Sequence, residues 1–327
     1  MKFFENVYLF NPNTYNERTT NIRLFNFVKK HSDAFWFVFK SYDFTEDGFE
    51  EKFDFFKNYG RRILIDNSAE LTSKDLVEFL SKFNSLHGIT LVTNGFRDKD
   101  DENNKILYQR GCDIIEHQFF LKYGFDYYQP FFTPKVLKFK KFLILNGKPK
   151  AYRTLLTSLL FHEGLNEHGY ISYFHKDKTG KFYPEKTEDV FELGLNQDLR
   201  ERVIKGLEII GEQDLHLDKT KFDYSTSHAR DYNGDYYNAV DFVVVMESDI
   251  ENGVEFITEK TLKAIQLNKK FILFSSVGML EKTKEYYKEL YGVDISHLTD
   301  WCDNSYDQIE DPIERILRIK DIIREKI

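Results

Sequence analysis

Thr258-Glu259-Lys260-Thr261 puts a hydroxyl, a carboxylate and an ammonium at the start of a stretch with helical spacing. Thr258 suits an N-cap, because its hydroxyl can take one of the free N–H groups of the first turn. Glu259 suits the positive end of the helix dipole, whereas Lys260 is disfavoured there by roughly a few tenths of a kcal/mol. A lysine at a helix start makes better sense beside a bound anion. A carboxylate accepts ribose hydroxyl protons, while an ammonium and free backbone N–H groups hold phosphate. The quartet therefore suits a nucleoside diphosphate, with Glu259 on the ribose and Lys260 on the phosphates. A solvated Glu–Lys pair is the other reading of the same residues.

Two apolar runs flank the quartet. Val240–Met246 is apolar and rich in β-branched residues apart from Asp241, and Phe271–Phe274 is a second such run. Leu262, Ala264 and Ile265 lie between them at helical spacing. Strand, helix and strand make a βαβ unit of a parallel sheet. Ligands of open parallel sheets sit beyond the carboxyl ends of the strands. That end here is the stretch from Glu247 to Lys260, in which six residues are Asp, Glu or Lys.

A second strand-turn-helix precedes it. Phe142–Leu145 is apolar, Asn146-Gly147-Lys148-Pro149-Lys150 is a basic turn, and Leu155, Leu156, Leu159 and Leu160 mark a helix. Lys148, Lys150 and Arg153 gather at the helix start, where unpaired N–H groups favour anions. The turn lacks G-x-x-x-x-G-K-S/T and G-x-G-x-x-G. It reads either as a phosphate site or as a solvated basic turn.

The remaining elements follow from periodicity. In the N-terminal part, Phe35–Phe39, Arg61–Asp66, Ile89–Thr93 and Cys112–Glu116 read as strands. Glu46–Tyr59 reads as a helix, and Leu76, Val77, Leu80 and Phe83 mark another, capped by Thr72 or Ser73. Asp98–Asn104 reads as a charged exposed loop whose D-x-D has no strand directly before it. Around Phe131–Lys141 the chain becomes basic, which places a boundary between an N-terminal domain, 1–135, and a C-terminal domain, 136–327. In the second half Tyr170–Phe174 reads as a strand, Asp198–Ile210 as a helix, and Asp177–Glu188 and Asp214–Asp235 as irregular. Met279–Tyr291 is a charged helix closed by Gly292. The last helix starts at Asp311-Pro312 and carries Ile313, Ile316, Leu317, Ile319, Ile322 and Ile323 as its apolar stripe.

Composition narrows the classes. Hydrophobic residues make up 41% and charged residues 31% of 327, which is a globular balance. No apolar run reaches the ~18 residues of a membrane span, and the N-terminus lacks a signal-peptide pattern. Cys112 and Cys302 fit no metal spacing, and a reduced, cytoplasmic compartment is expected. The nine histidines form no H-E-x-x-H and no tight cluster, so no structural or catalytic zinc is expected, and no separate cofactor is expected either. G-x-S-x-G is absent. A net charge of −8 argues against a wide non-specific nucleic-acid surface.

Phe256-Ile257-Thr258-Glu259-Lys260-Thr261-Leu262-Lys263-Ala264-Ile265 followed by a strand resembles the donor-binding segment of GT-B glycosyltransferases. It is most similar to the (V/I)-T-E-K-(L/T)-x-x-A pattern of the α-1,3-fucosyltransferases. In those enzymes this glutamate and lysine hold the ribose and phosphates of the sugar nucleotide. The order of strand, Glu247, T-E-K-T helix, F-I-L strand, S-Y-D segment and Arg315 also resembles phage-encoded glycosyltransferase-like proteins. The likeness covers the last third well, 142–175 loosely, and the N-terminal half by architecture alone.

The resemblance implies an α/β, GT-B-like chain: two Rossmann-like domains facing across a cleft, the last helix a candidate to cross back. It implies a metal-independent enzyme that moves sugar from a nucleotide-sugar donor to a hydroxyl on a glycan, lipid or protein, or on a hydroxymethylated base in phage DNA. Glu247, Thr258, Glu259, Lys260 and Thr261, with Lys148 and Arg153, become donor-site residues. An inverting reaction needs a general base. Asp66, Glu70 and His117 qualify because each follows a strand of the N-terminal half; Asp66 and Glu70 equally suit helix caps, and His117 a structural place. A DNA acceptor would call for a basic groove from Lys135, Lys138, Lys140 and Lys141. Tyr306 of the S-Y-D segment either positions the last helix or lines the cleft.

Departures are visible. Asn268-Lys269-Lys270-Phe271-Ile272 stands where fucosyltransferases have G-x-x-P-V, and Asn304 stands where phage-type relatives carry a glutamate. Glu247/Glu255 and Glu251/Glu259 match the E-x7-E spacing of retaining GT-B enzymes, a match that an acidic segment produces by chance. A non-catalytic nucleotide- or sugar-binding module is the alternative function.

Overall fold

The computed structural model describes residues 63–67, 74–93, 102–116, 129–133, 136–146, 149–173, 188–211, 231–247 and 257–327, with 8–9, 37–40 and a few single positions. The chain is α/β and divides into two compact units, residues 1–123 and residues 124–252 with 257–327.

Among its described residues the first unit holds five strands: β1 (Tyr8–Leu9), β2 (Phe37–Lys40), β3 (Ile63–Asn67), β4 (Ile89–Thr93) and β5 (Asp113–Glu116), side by side in chain order. β1 is antiparallel to β2, and the other pairs are parallel. Parallel strands need crossover connections, and two of the helices here are α1 (Lys74–Ser81) and α2 (Glu102–Gln109). Ile63, Ile65, Ile89 and Leu91 pack with Leu76, Leu80 and Leu107. The expected helix over Glu46–Tyr59 lies outside the described residues except for helical Phe53 and Lys57.

α2 corrects the expected loop over Asp98–Asn104, since the helix begins at Glu102. Ile106 and Leu107 are too few to display a helical period. Tertiary contact holds the helix instead: Leu107 is fully buried, and Arg110, just past the end, donates to the carbonyls of Ser81 and Phe83.

The second unit contains β6 (Gln129–Phe131), β7 (Lys140–Asn146), α3 (Ala151–His162), β8 (Gly169–Tyr173), α4 (Gln197–Ile210), β9 (Asp231–Asn233), α5 (Gly234–Asn238) and β10 (Val240–Met246). α6 (Glu259–Gln266), β11 (Lys270–Phe274), α7 (Met279–Tyr291), α8 (Ser296–Thr299) and α9 (Pro312–Glu325) complete it. Four strands form a parallel sheet in the order β11-β10-β7-β8. From β7 the chain goes through α3 to β8 on one side, then returns past β7 to β10 on the other. The order thus reverses between β7 and β10, and such a switch point leaves a crevice at the carboxyl ends of the two strands.

β6 pairs with β9 in a separate two-stranded ladder. Neither three-residue strand is evident from period-2 alternation. Residues 174–187 and 218–230, which include most of the two expected irregular stretches, lie outside the described residues.

Local rules explain the helix ends. The Asp311 carboxylate accepts the N–H groups of Ile313 and Glu314, with Pro312 at the first helical position. Gly292 closes α7 at φ 65. Asn268 closes the α6–β11 turn at φ 52. Asparagine tolerates this left-handed conformation, so it makes the turn where the fucosyltransferase pattern has glycine. α9 packs on α3 within the second unit, where Glu163 receives Lys320, Arg324 and Arg202. Among the described residues no helix is long and apolar enough to cross a membrane.

Candidate functional site

Glu247 is the first residue beyond β10, beside the switch point. Its N–H donates to the Phe274 carbonyl at 2.9 Å, which prolongs the β10–β11 pairing and fixes the backbone. Its side chain is buried at 3% exposure. Oε1 accepts the Thr258 N–H at 3.0 Å and the Thr261 hydroxyl at 2.6 Å, and Oε2 accepts the Thr258 hydroxyl at 2.5 Å. A buried carboxylate requires such donors. Thr258 is the N-cap of α6, its hydroxyl accepting the Lys260 N–H at 3.4 Å. Glu247 thereby clamps the start of α6 to the end of β10.

This clamp explains the lysine in the first turn. Lys260 Nζ donates to Thr258 Oγ1 at 2.9 Å and stands 3.2 Å from Glu259 Oε1 and 3.9 Å from Glu247 Oε2. Two carboxylates offset the unfavourable dipole. Burial works against ionisation of Glu259, but Lys260 and Lys263 outweigh it and hold the carboxyl down at about 2. Lys263 is pushed down by burial and lifted by Glu259. Its ammonium stands 5.2 Å from the ring centre of Tyr232, whose hydroxyl donates to Gln266 Oε1 at 2.9 Å.

Arg153 joins the cluster from α3. Its Nη2 donates to the Met246 carbonyl at 2.9 Å, from the first turn of α3 to the last residue of β10. Burial lowers its pKa, and Glu247 and then Glu259 counter that. Arg153, Lys260 and Lys263 thus face Glu247 and Glu259, three cations against two carboxylates. That one-charge excess at a sheet's carboxyl edge suits an anion.

The strand ends differ in how their helices begin. Glu247 serves α6. At α7 the Asp307 carboxylate accepts the Leu280 N–H at 3.2 Å, and its carbonyl accepts the Gly278 N–H at 2.9 Å. α3 starts at extended Lys150 with no side-chain cap and no acidic residue in its first turn. Asn146, the last residue of β7, is 1% exposed; its Nδ2 donates to Thr157 Oγ1 at 3.3 Å, and its Oδ1 has no hydrogen-bond partner among the described residues.

Six expected site residues come together here: Arg153, Glu247, Thr258, Glu259, Lys260 and Thr261. Glu247, Thr258 and Thr261 bond chiefly to one another. Glu259 and Lys260 keep 24% and 20% of their side chains exposed. Asp66 is on β3, paired in register with Lys40 and Val92, and its side chain is outside the described residues. Glu70, His117, Lys148, Glu251 and Glu255 also lie outside them. Lys263 was missed as a site residue, although four residues beyond Glu259 on a helix is the same face. Asn146 carried no signal beyond its place in the basic turn.

The S-Y-D segment is structural. Tyr306, considered for the cleft, is fully buried, and its hydroxyl accepts the Leu273 N–H at 3.0 Å. Arg315 is also fully buried; it donates to the carbonyls of Ser275 and Glu310 and lies over the Phe274 ring at 5.6 Å. Asn304 donates to Asp300 Oδ1 at 3.0 Å.

Fold and site together define an α/β chain with a charged cluster at the switch point of a parallel sheet. Comparison with protein-family models, with curated proteins and with solved structures returned no match.

Proposed function

We propose that the chain is a metal-independent glycosyltransferase of GT-B type that binds a nucleotide-sugar on its second unit and transfers the sugar to a hydroxyl acceptor. The observation that carries this reading is the assembly of Arg153, Glu259, Lys260 and Lys263 around the T-E-K-T helix at the switch point. The donor's diphosphate takes the excess positive charge and the uncapped start of α3. Lys260 exchanges its contact with Glu259 for a phosphate oxygen, and the Glu259 carboxylate accepts the ribose hydroxyls. A carboxylate held at about 2 stays ionised at physiological pH and so offers acceptor oxygens only. Cations fixed beside the leaving diphosphate stabilise the charge that develops on it. An inverting transfer also needs a base for the acceptor's proton, and the sequence candidates Asp66, Glu70 and His117 are the residues to test.

The experiment is a thermal-shift and calorimetric screen of the full chain against UDP, GDP, CMP and their sugars, with sugar release followed in the positive samples. A ligand at about a hundredfold excess over Kd stabilises the protein by ~2.7 kcal/mol. Glu259→Ala and Lys260→Ala should each weaken binding of the active nucleotide about 10- to 100-fold, the loss of one charge-assisted contact. Unchanged binding and turnover in both variants would remove the site from this reading. Binding without turnover of any donor would favour the non-catalytic module.

A further inference from the structure

At the opposite edge of the same sheet, the approach to β7 holds large apolar groups out in solvent. Phe132 is 55% exposed, Val136 95% and Phe139 59%. The run from 132 to 141 contains four lysines and no acidic residue. Its described parts are tied down, so the rings do not face outward for want of packing. Thr133 N–H and Oγ1 donate to Asp235 Oδ2 at 2.8 and 2.5 Å. The Lys138 carbonyl accepts the Tyr170 hydroxyl at 2.5 Å, and the Lys140 N–H donates to the Ala239 carbonyl at 2.8 Å.

The cations differ in availability. Lys140 is engaged: Nζ donates to the Gly169 carbonyl at 2.7 Å and lies 4.9 Å from the Tyr170 ring centre. Lys138 is exposed and has no ion pair among the described residues. Lys141 pairs with Asp241 at 3.1 Å, both nearly half-exposed; such a surface pair contributes little and yields to a competing anion. Exposed cations interleaved with exposed rings along the chain, Lys138 between Phe132 and Phe139 and Lys141 just after, match the chemistry of single-stranded nucleic acid, with phosphates on the cations and bases stacked on the rings. A bilayer would require an unbroken apolar face with cations at its rim, and here residues 136–139 are non-helical with Lys138 among the apolar groups.

We propose that Phe132, Val136, Lys138, Phe139 and Lys141 form a binding strip for single-stranded nucleic acid. β7 runs seven residues from this strip to Asn146, about 20 Å at ~3.3 Å per residue. The strip is therefore a tethering surface apart from the Glu247 cluster, and it holds whether or not that cluster binds a nucleotide-sugar.

The test is fluorescence anisotropy of the full chain with a labelled oligodeoxythymidylate of about 12 nucleotides, within the span of one binding groove. Two phosphate contacts, at Lys138 and Lys141, give a slope of log K against log salt of about −1.4. Phe139→Ala and Lys138→Glu should each weaken binding about tenfold, with unchanged melting temperature and unchanged nucleotide binding at Glu259 and Lys260. Lys288→Glu, on exposed α7 surface, should bind as the parent does. Three results would each overturn the proposal: no binding at low salt, a loss in Lys288→Glu equal to that in Lys138→Glu, or capture by phosphatidylserine vesicles in place of the oligonucleotide.

Discussion

Replacing Glu247 tests whether one buried carboxylate organises the candidate site. It accepts three hydrogen bonds, from the Thr258 N–H, the Thr258 hydroxyl and the Thr261 hydroxyl, and stands 3.9 Å from Lys260 Nζ. Hydrogen bonds to charged groups contribute about 1.5–3 kcal/mol each, but three to one acceptor do not add. The hydroxyls can rotate after truncation, and Lys260 keeps Glu259 and Thr258, whereas the Thr258 N–H loses its acceptor and the cations of the cluster lose a buried countercharge. Removal of one member of a buried charged set costs about 3–5 kcal/mol, and that is the expected loss for Glu247→Ala. Glu247→Gln keeps one acceptor oxygen and should lose about 1–2 kcal/mol, the cost of unmade bonds. For a folding unit of this size the alanine loss lowers Tm by about 6–20 °C. Urea unfolding in a Trp36→Phe background reports the second unit, because the Trp301 ring packs against Phe242 of β10 with its centre 4.8 Å away. A Thr261→Val cycle should show coupling of about 1–2 kcal/mol. A cost below about 1 kcal/mol for Glu247→Ala, or strict additivity with Thr261→Val, would refute the clamp.

Two further predictions concern the second unit. Burial pushes the Asp307 carboxyl up to about 6, against the Leu280 N–H and Arg315, which pull it down. A raised folded-state pKa means that the proton-linked stability is complete below the ordinary carboxylate range of about 4 and is lost as pH rises through about 6. Asp307→Asn has no such proton to lose, so its stability relative to the parent should improve between pH 4 and pH 7; urea midpoints that differ by the same amount at both pH values would contradict this. Gly206 lies within α4, where alanine is ordinarily better by up to about 1 kcal/mol. A Cβ there would stand 2.0 Å from the Ser158 carbonyl oxygen of α3. Gly206→Ala should therefore destabilise by about 1–3 kcal/mol, and a rise in Tm would show that the two helices can separate.

The βαβ unit that holds the site was legible for physical reasons. Buried parallel strands read as unbroken β-branched runs, and Val240–Met246 has the same limits in sequence and structure. Leu262, Ala264 and Ile265 showed the helix face, and Thr258 showed its cap. Asp311-Pro312 marked the start of α9 because both residues act on their own turn. α2, β6 and β9 were not legible, since each depends on a partner far along the chain: Arg110 on Ser81 and Phe83 for α2, and β6 on β9 for the ladder. Tyr306 carried an ambiguous signal because its partner, the Leu273 amide, is 33 residues away.

By itself, then, the sequence determined the α/β class, the strand–helix–strand around Thr258–Thr261 and the helix caps. All of these depend on residue type and short-range spacing. Only the tertiary structure decided that β7 and β10 lie side by side, which creates the switch point and brings Arg153 to Met246 across 93 residues of chain. It also decided that Glu247 clamps α6 through Thr258 and Thr261. The carboxylate's identity was readable from the start; its role depends on which donors surround it once it has left water, and a linear pattern does not contain that.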